Sequence, residues 1–268
     1  MDGCGKLLTI VLLCAATGLP AQQPTRRVLH DYRIEGAGAP VKVGTELSLN
    51  DRQRVLSALF PKYLTSESAC DHANADKPHY GATLETERQS GQIVPSIEEY
   101  ANGSFTAAGK RQTAYFVKVG ECFAYTRDYW GTYRLAIFEG PRLIADVEPE
   151  VPYPGTIPMG SKGLAATADV NNDGVDELLL QSTVFGGGEL EVNARLVSLG
   201  EGKFHTVREF DDVYDWGCGA NRNVTASRIT YTPPTLFVER YEAPCKGAGK
   251  RGQVPAFSDF KRIPQGGE

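Results

Sequence analysis

The sequence predicts a mainly β protein built from antiparallel sheets, with one α-helical segment towards the N-terminus; an α+β arrangement is the alternative. Three observations lead there. From residue 112 onward, runs rich in Tyr, Phe, Val, Ile and Leu follow one another at strand length, and these residue types fit a pleated, half-buried surface. The breaks between them hold Gly or Pro, as at Gly140-Pro141, Gly200–Gly202 and Pro233-Pro234; 29 glycines and 16 prolines in 268 residues supply more turns than a helix bundle uses. Helical spacing of apolar residues is clear in one stretch only.

Taken in order, residues 1–21 have the form of a secretory signal. Lys6 is a short basic start, Leu7–Ala16 is apolar, and Gly18-Leu19-Pro20-Ala21 offers small residues for cleavage after Ala21, with Gly18 as second choice. The apolar run is too short to span a hydrocarbon core of about 30 Å. Leu13 before Cys14 is the wrong residue type for lipid attachment. Residues 22–46 carry little pattern and are expected to form an extended arm. A helix follows, with Asn50 as N-cap and Gln53 three residues on. Val55, Leu56, Leu59, Phe60 and Tyr63 share one face, and Pro61 ends or distorts the last turn.

Residues 65–111 are polar and read as irregular. Strands are expected at 112–121, 132–138 and 142–147, the last two forming a hairpin. Four prolines and three glycines in 149–163 mark a linker or long loop. Strands then resume at 164–168, 178–184, 192–199, 203–209, 226–232 and 235–242. The chain thus divides into a signal (1–21), a helix plus β region (22–148), a Pro/Gly-rich connection (149–163), a second β region (164–245) and a basic, glycine-rich tail (246–268).

Charge and cysteines narrow the setting. A net charge of −5 gives no broad electrostatic reason to hold nucleic acid. No later segment is apolar enough to cross a membrane. Beyond the signal stand Cys70, Cys122, Cys218 and Cys245, an even number that suits two disulfides in an oxidising compartment. Of three connectivities, Cys70–Cys122 with Cys218–Cys245 keeps each bond within one half of the chain. A zinc site is disfavoured: no CxxC pair exists, and only His72 lies near a cysteine. A secreted or periplasmic location is the expectation.

One stretch carries specific chemistry. In Asp169-Val170-Asn171-Asn172-Asp173-Gly174-Val175-Asp176-Glu177, oxygen side chains fall at loop positions 1, 3, 5 and 9. These are Asp169, Asn171, Asp173 and Glu177. Gly174 sits where the chain turns sharply, and Val175 offers a backbone carbonyl. A hard cation such as Ca²⁺ takes six to eight oxygens, whereas Mg²⁺ demands a tighter octahedron. Leu180 stands where an EF-hand needs its bidentate Glu, and Leu178-Leu179-Leu180-Gln181 reads as a buried strand rather than a helix. The plainer reading is an Asx-rich turn without metal.

The loop resembles the FG-GAP or VCBS type of calcium-binding repeat, known from integrin α-subunit propellers and many secreted bacterial proteins. That pattern is an acidic nine-residue loop between two strands, followed by an aliphatic run. Asp169, Asn171, Asp173, Gly174 and Glu177 match it, and Phe185-Gly186 resembles its aromatic-glycine step. The resemblance implies propeller-blade-like strands around the loop and a bound Ca²⁺ that braces them. Full propellers use several such loops. One loop in about 247 mature residues carries over the local motif without the global fold.

Other clusters have dull readings beside sharp ones. Asp211, Asp212 and Asp215 stand among Phe210, Tyr214 and Trp216. They suit a sugar-binding face, a second cation site or a hydrolytic carboxylate pair, or simply a loop leading to Cys218. Tyr125, Tyr129, Trp130 and Tyr133 could stack on a ligand or pack a hairpin. Gly186-Gly187-Gly188 lacks the Lys-Ser/Thr end of a phosphate loop. Asn102-Gly103-Ser104 and Asn223-Val224-Thr225 are glycosylation sequons. The function expected from the sequence is a non-enzymatic, calcium-stabilised binding or structural module with a protein or glycan partner; a secreted polysaccharide hydrolase acting through Asp211, Asp212 and Asp215 is the alternative.

Overall fold

A computed structural model describes residues 25–34, 41–60, 95–125, 128–147, 163–186, 189–200, 203–220, 223–245 and 255–264. The expected signal, Cys70, Tyr63 and nearly all of the 149–163 connection lie outside the described residues, as does much of the tail. The chain is mainly β, with antiparallel sheets and, among the described residues, one α-helix near the N-terminus.

Thirteen strands are described. They are β1 (Arg27–Asp31), β2 (Val41–Val43), β3 (Ser96–Gly103), β4 (Gln112–Tyr125), β5 (Asp128–Glu139), β6 (Arg142–Val147), β7 (Leu164–Ala168), β8 (Glu177–Gly186), β9 (Glu189–Gly200), β10 (Lys203–Trp216), β11 (Val224–Thr232), β12 (Thr235–Ala243) and β13 (Lys261–Arg262). β2 to β6 form a five-stranded meander. β7 to β13 form a second meander, and β1 joins it by pairing with β11. The chain's first described strand and its last therefore belong to the same sheet, across the division drawn from composition.

The helix α1 runs from Leu49 to Leu59 and ends at Phe60. Its N-cap is Ser48, not Asn50: the Ser48 hydroxyl oxygen accepts from the Asp51 backbone N–H at 3.1 Å and donates to the Asp51 carboxylate at 2.7 Å. An oxygen at the N-cap and a carboxylate in the first turn both satisfy and complement the exposed N–H groups there. Val55 and Phe60, with Leu56 and Leu59 beside them, pack on Ile97, Tyr100, Tyr115, Val117, Ala136 and Phe138 of the five-stranded sheet.

Strand alternation then explains the layering. Tyr115 and Val117 face the helix, whereas Ala114 and Phe116 face the other way. On β5, Ala136 and Phe138 face the helix, and Leu135 and Ile137 the opposite side. That opposite side packs on Leu164, Leu178, Leu180, Val197 and Leu199 of the larger sheet. Helix, small sheet and large sheet therefore form three layers with a core shared by both β regions. On β8, Leu178 and Leu180 enter this shared core while Leu179 enters the core of the large sheet with Leu29, Leu196, Phe210 and Ile229. A strand buried on both faces reads as an unbroken aliphatic run, as the three leucines do. Each such fully buried side chain contributes about 1.5–3 kcal/mol of transfer free energy.

Candidate metal centre

The acidic loop leaves β7 after Ala168 and re-enters the sheet at Glu177, the first residue of β8. Two residues take left-handed backbone, Asn172 (φ 64°) and Gly174 (φ 85°). Gly174 is required twice over: its φ is one that side chains resist, and an added Cβ would lie 2.8 Å from Cβ of Ala108.

These turns bring the loop's side-chain oxygens onto its own N–H groups. Asp169 accepts from the backbone N–H of Asp173 through Oδ1 (3.1 Å) and of Gly174 through Oδ2 (2.9 Å). Asn171 Oδ1 accepts from the same Asp173 N–H (2.9 Å). Asp173 Oδ1 accepts from the Val175 N–H (2.8 Å); the atom of Val175 expected to face a cation is its carbonyl, which this bond does not involve. The Asn171 side-chain Nδ2 donates to Asp173 Oδ2 and to Glu177 Oε1, both at 3.0 Å. Glu177 Oε2 accepts from the Val170 N–H at 2.9 Å. Asp169, Asn171, Asp173 and Glu177, drawn from nine residues of chain, thus share one hydrogen-bonded ring.

The charge balance of that ring is unequal. Glu177 is 1% exposed, and among the described residues no Lys or Arg pairs with Asp169, Asp173 or Glu177. Burial above all pushes the Glu177 carboxyl above the usual value; the charges of Asp173 and Asp169 push the same way, against backbone hydrogen bonds from Val170 and from Glu177 itself. Uncompensated buried charge is unfavourable unless a cation or a proton neutralises it. Among the described residues no three His, Cys, Asp or Glu side chains stand together as a ready-made cage. Loop N–H groups and the Asn171 amide occupy the carboxylate oxygens instead. The donor chemistry, all oxygen and mostly anionic, fits a hard cation such as Ca²⁺ and offers nothing soft for zinc.

One contact that sequence reasoning missed ties the loop to the other sheet. Asp176 Oδ2 accepts from the Ser104 N–H at 2.7 Å, and the Asp176 N–H donates to the Ser104 carbonyl at 2.8 Å. Ser104 follows β3, in the connection to β4. A Cβ on Gly103 would lie 2.7 Å from Asp176 Oδ2, so glycine there admits the carboxylate. No local signal marks this pair, since 72 residues separate its members.

The remaining sites sort themselves. Cys218 and Cys245 are bonded, with Cα atoms 5.7 Å apart across 27 residues. Cys122 lies on β4, but its side chain, like Cys70, is outside the described residues. Asp211, Asp212 and Asp215 belong to β10 rather than to a loop. Pairing with β9 skips from Phe210 to Tyr214, and this bulge carries Asp211 and Asp212. Asp212 has left-handed backbone (φ 49°), and its N–H donates to Oδ1 of buried Asn193 at 2.8 Å. Burial first, and then the Asp215 charge, push the Tyr214 hydroxyl up. Tyr133 is buried and stacks on Phe116; the side chains of Tyr125, Tyr129, Trp130 and Phe185 are outside the described residues.

No protein-family model matches the chain, and neither a curated protein nor a solved structure is significantly similar to it. Among the described residues no helix is long and apolar enough to cross a membrane.

Proposed function

We propose that this chain is a secreted or periplasmic, non-enzymatic β module in which the loop Asp169–Glu177 binds one Ca²⁺ in the manner of an FG-GAP/VCBS repeat. The carrying observation is that Asp169, Asn171, Asp173 and Glu177 are tied into one hydrogen-bonded loop, with Glu177 buried and unmatched by any basic side chain among the described residues. Val175 would add its backbone carbonyl to the set. A bound Ca²⁺ would supply the missing positive charge. The chain's own residues do the rest: Asp169 and Asp173 pin the loop's N–H groups, and Asp176 fastens the loop to Ser104. The ion's role is thereby structural, bracing the junction between the two sheets. The Cys218–Cys245 disulfide fits the oxidising compartment expected from residues 1–21. The module's partner would be a protein or a glycan.

The test is a thermal melt of the oxidised protein in EDTA and in 1 mM Ca²⁺, with Asp173→Ala alongside. At free Ca²⁺ one hundred times the dissociation constant, binding adds about 2.7 kcal/mol. For a domain of this size that is a rise of roughly 5–10 °C, absent from the variant. Superimposable melts, with no heat of Ca²⁺ binding on titration, would reduce the loop to an ordinary turn.

A further inference from the structure

The large sheet has an opening. β11 is paired along one edge with β12 throughout, but its other edge is divided: Val224–Ala226 pairs with β10, and Arg228–Tyr231 with β1. Because β1 takes those positions, β10 from Lys203 to Phe210 is paired with β9 alone among the described residues. Its outer edge therefore presents backbone N–H and C=O groups without a ladder. Residues 205–209 are all exposed, and Val207 retains 47% of its surface. Charged residues and a bulge at Val207 are the devices that keep a lone edge from pairing indiscriminately.

Beside this edge lies a cleft of 380 Å³, between β10 and the face of β11 and β12. Phe210, Val213 and Val238 give it an apolar side. Arg208 and Arg240 stand in its lining, and no carboxylate pairs with either among the described residues. Arg208 donates to the Leu236 carbonyl at 3.3 Å and lies over the Phe210 ring. Of the two acids in the lining, Glu209 is held by Arg195 at 2.8 Å, which leaves Asp211 as the opposing charge.

We infer that the β10 edge and this cleft bind an extended acidic peptide, which adds as a strand to Lys203–Phe210. Strand addition supplies main-chain hydrogen bonds, and alternate side chains of the peptide face one pocket. Acidic side chains on the facing side of the peptide meet Arg208 and Arg240, their methylene stems lying against Phe210, Val213 and Val238, and the apolar side chains point to the opposite face. Asp211 is placed to disfavour an acidic residue at the bulged end. This deepens the binding-module reading by naming a partner class. It does not require the cation, so the measurement is made both in EDTA and in Ca²⁺.

Fluorescence anisotropy would follow a labelled acetyl-(Glu-Val)5-amide peptide, its (Lys-Val)5 counterpart, and the acidic peptide N-methylated at alternate residues. N-methylation keeps the charge and removes the donors a strand needs. The acidic peptide is expected to bind at low salt, with the other two at least tenfold weaker, and to slow amide hydrogen exchange across 203–210. Arg208→Glu with Arg240→Glu should weaken it tenfold or more. The wild-type exchange pattern stands independently of whether that variant folds. Absence of binding at 1 mM peptide, equal binding of acidic and basic peptides, equal binding after N-methylation, or unchanged exchange in β10 would each overturn the inference.

Discussion

The loop at 169–177 and the bulge at 210–216 are made from similar ingredients and arrange them in opposite ways. Each carries several carboxylates within a few residues, and each bends its backbone into left-handed conformation at one non-glycine residue, Asn172 or Asp212. In the first, the Asn171 amide links Asp173 to Glu177, and Asp169 accepts from the loop's own N–H groups. In the second, the carboxylates are strung along a strand. The buried Asn193 amide holds the backbone of Asp212, not its side chain. Density of acid in a sequence is thus a weak sign of a site. What separates the two regions is an alternating placement around a tight turn, which lets the side-chain oxygens accept the loop's own N–H groups. The second region is held by other means, since the Cys218–Cys245 bond begins two residues after Trp216 and is worth about 3–4 kcal/mol for a loop of that length.

The comparison is broken most sharply at Glu177. Glu177→Gln keeps the shape and removes the buried charge, and leaves one acceptor oxygen, which the Val170 N–H takes in place of the Asn171 amide. The calcium-induced gain of about 2.7 kcal/mol at saturating ion should largely vanish, while the metal-free protein melts higher than wild type. The sign follows from linkage. Folded Glu177 holds its proton more tightly than in the unfolded chain. Its charge therefore lowers stability above its folded pKa, and the penalty is relieved as pH falls through that value towards the unfolded one. In EDTA the wild-type minus variant difference in melting temperature should shrink on acidification through that window. A wild-type protein more stable than the variant in EDTA at neutral pH would mean that the loop already satisfies Glu177 without metal.

A smaller effect is expected at Asp176, which sharpens the contrast from the side of packing. Asp176→Ala leaves the Ser104 N–H without its acceptor and should lower stability by about 1–2 kcal/mol. The loss should persist in both EDTA and Ca²⁺, because Asp176 faces the other sheet rather than the ring. Amide exchange at Ser104 should quicken in the variant. Unchanged protection there would show that the shared leucine core alone holds the sheets together.

What the sequence disclosed follows the range over which each feature is determined. Local patterns were legible: the turn chemistry of 169–177, the helix at Val55–Leu59, and the run Leu178–Leu180 whose double burial needs no partner to be guessed. Even there, the cap was misplaced, since Ser48 and Asn50 both have side-chain oxygens and only the backbone at Ser48 is extended. β3 was hidden because Glu98 and Glu99 sit side by side, and a register shift between Ile97 and Glu99 disrupts the alternation that would mark it. β1 and β13 are short and charged, and they become strands only because β11 and β12 offer edges. The Asp176–Ser104 bridge and the pairing of β10 from 203 to 210 with β9 alone among the described residues depend on how distant strands are ordered, which no local pattern encodes.

The smallest effects belong to the second acidic region. Asp211→Asn and Asp212→Asn, both exposed, should each change stability by no more than about 0.5 kcal/mol, and neither these nor Asp215→Asn should alter the calcium-induced shift. Asn tolerates the left-handed backbone that Asp212 adopts, so that substitution removes charge without adding strain. The same three variants decide the hydrolase alternative. A glycosidase needs two carboxyl groups set about 5–10 Å apart across a cleft, and a single Asn at either would lower turnover by orders of magnitude with the fold unchanged. In the binding-module reading there is no turnover to lose, and the only change expected is at Asp211. Removing its charge beside Arg208 and Arg240 should tighten the acidic peptide a few-fold, an effect that neither a hydrolytic carboxylate nor an idle surface residue would produce.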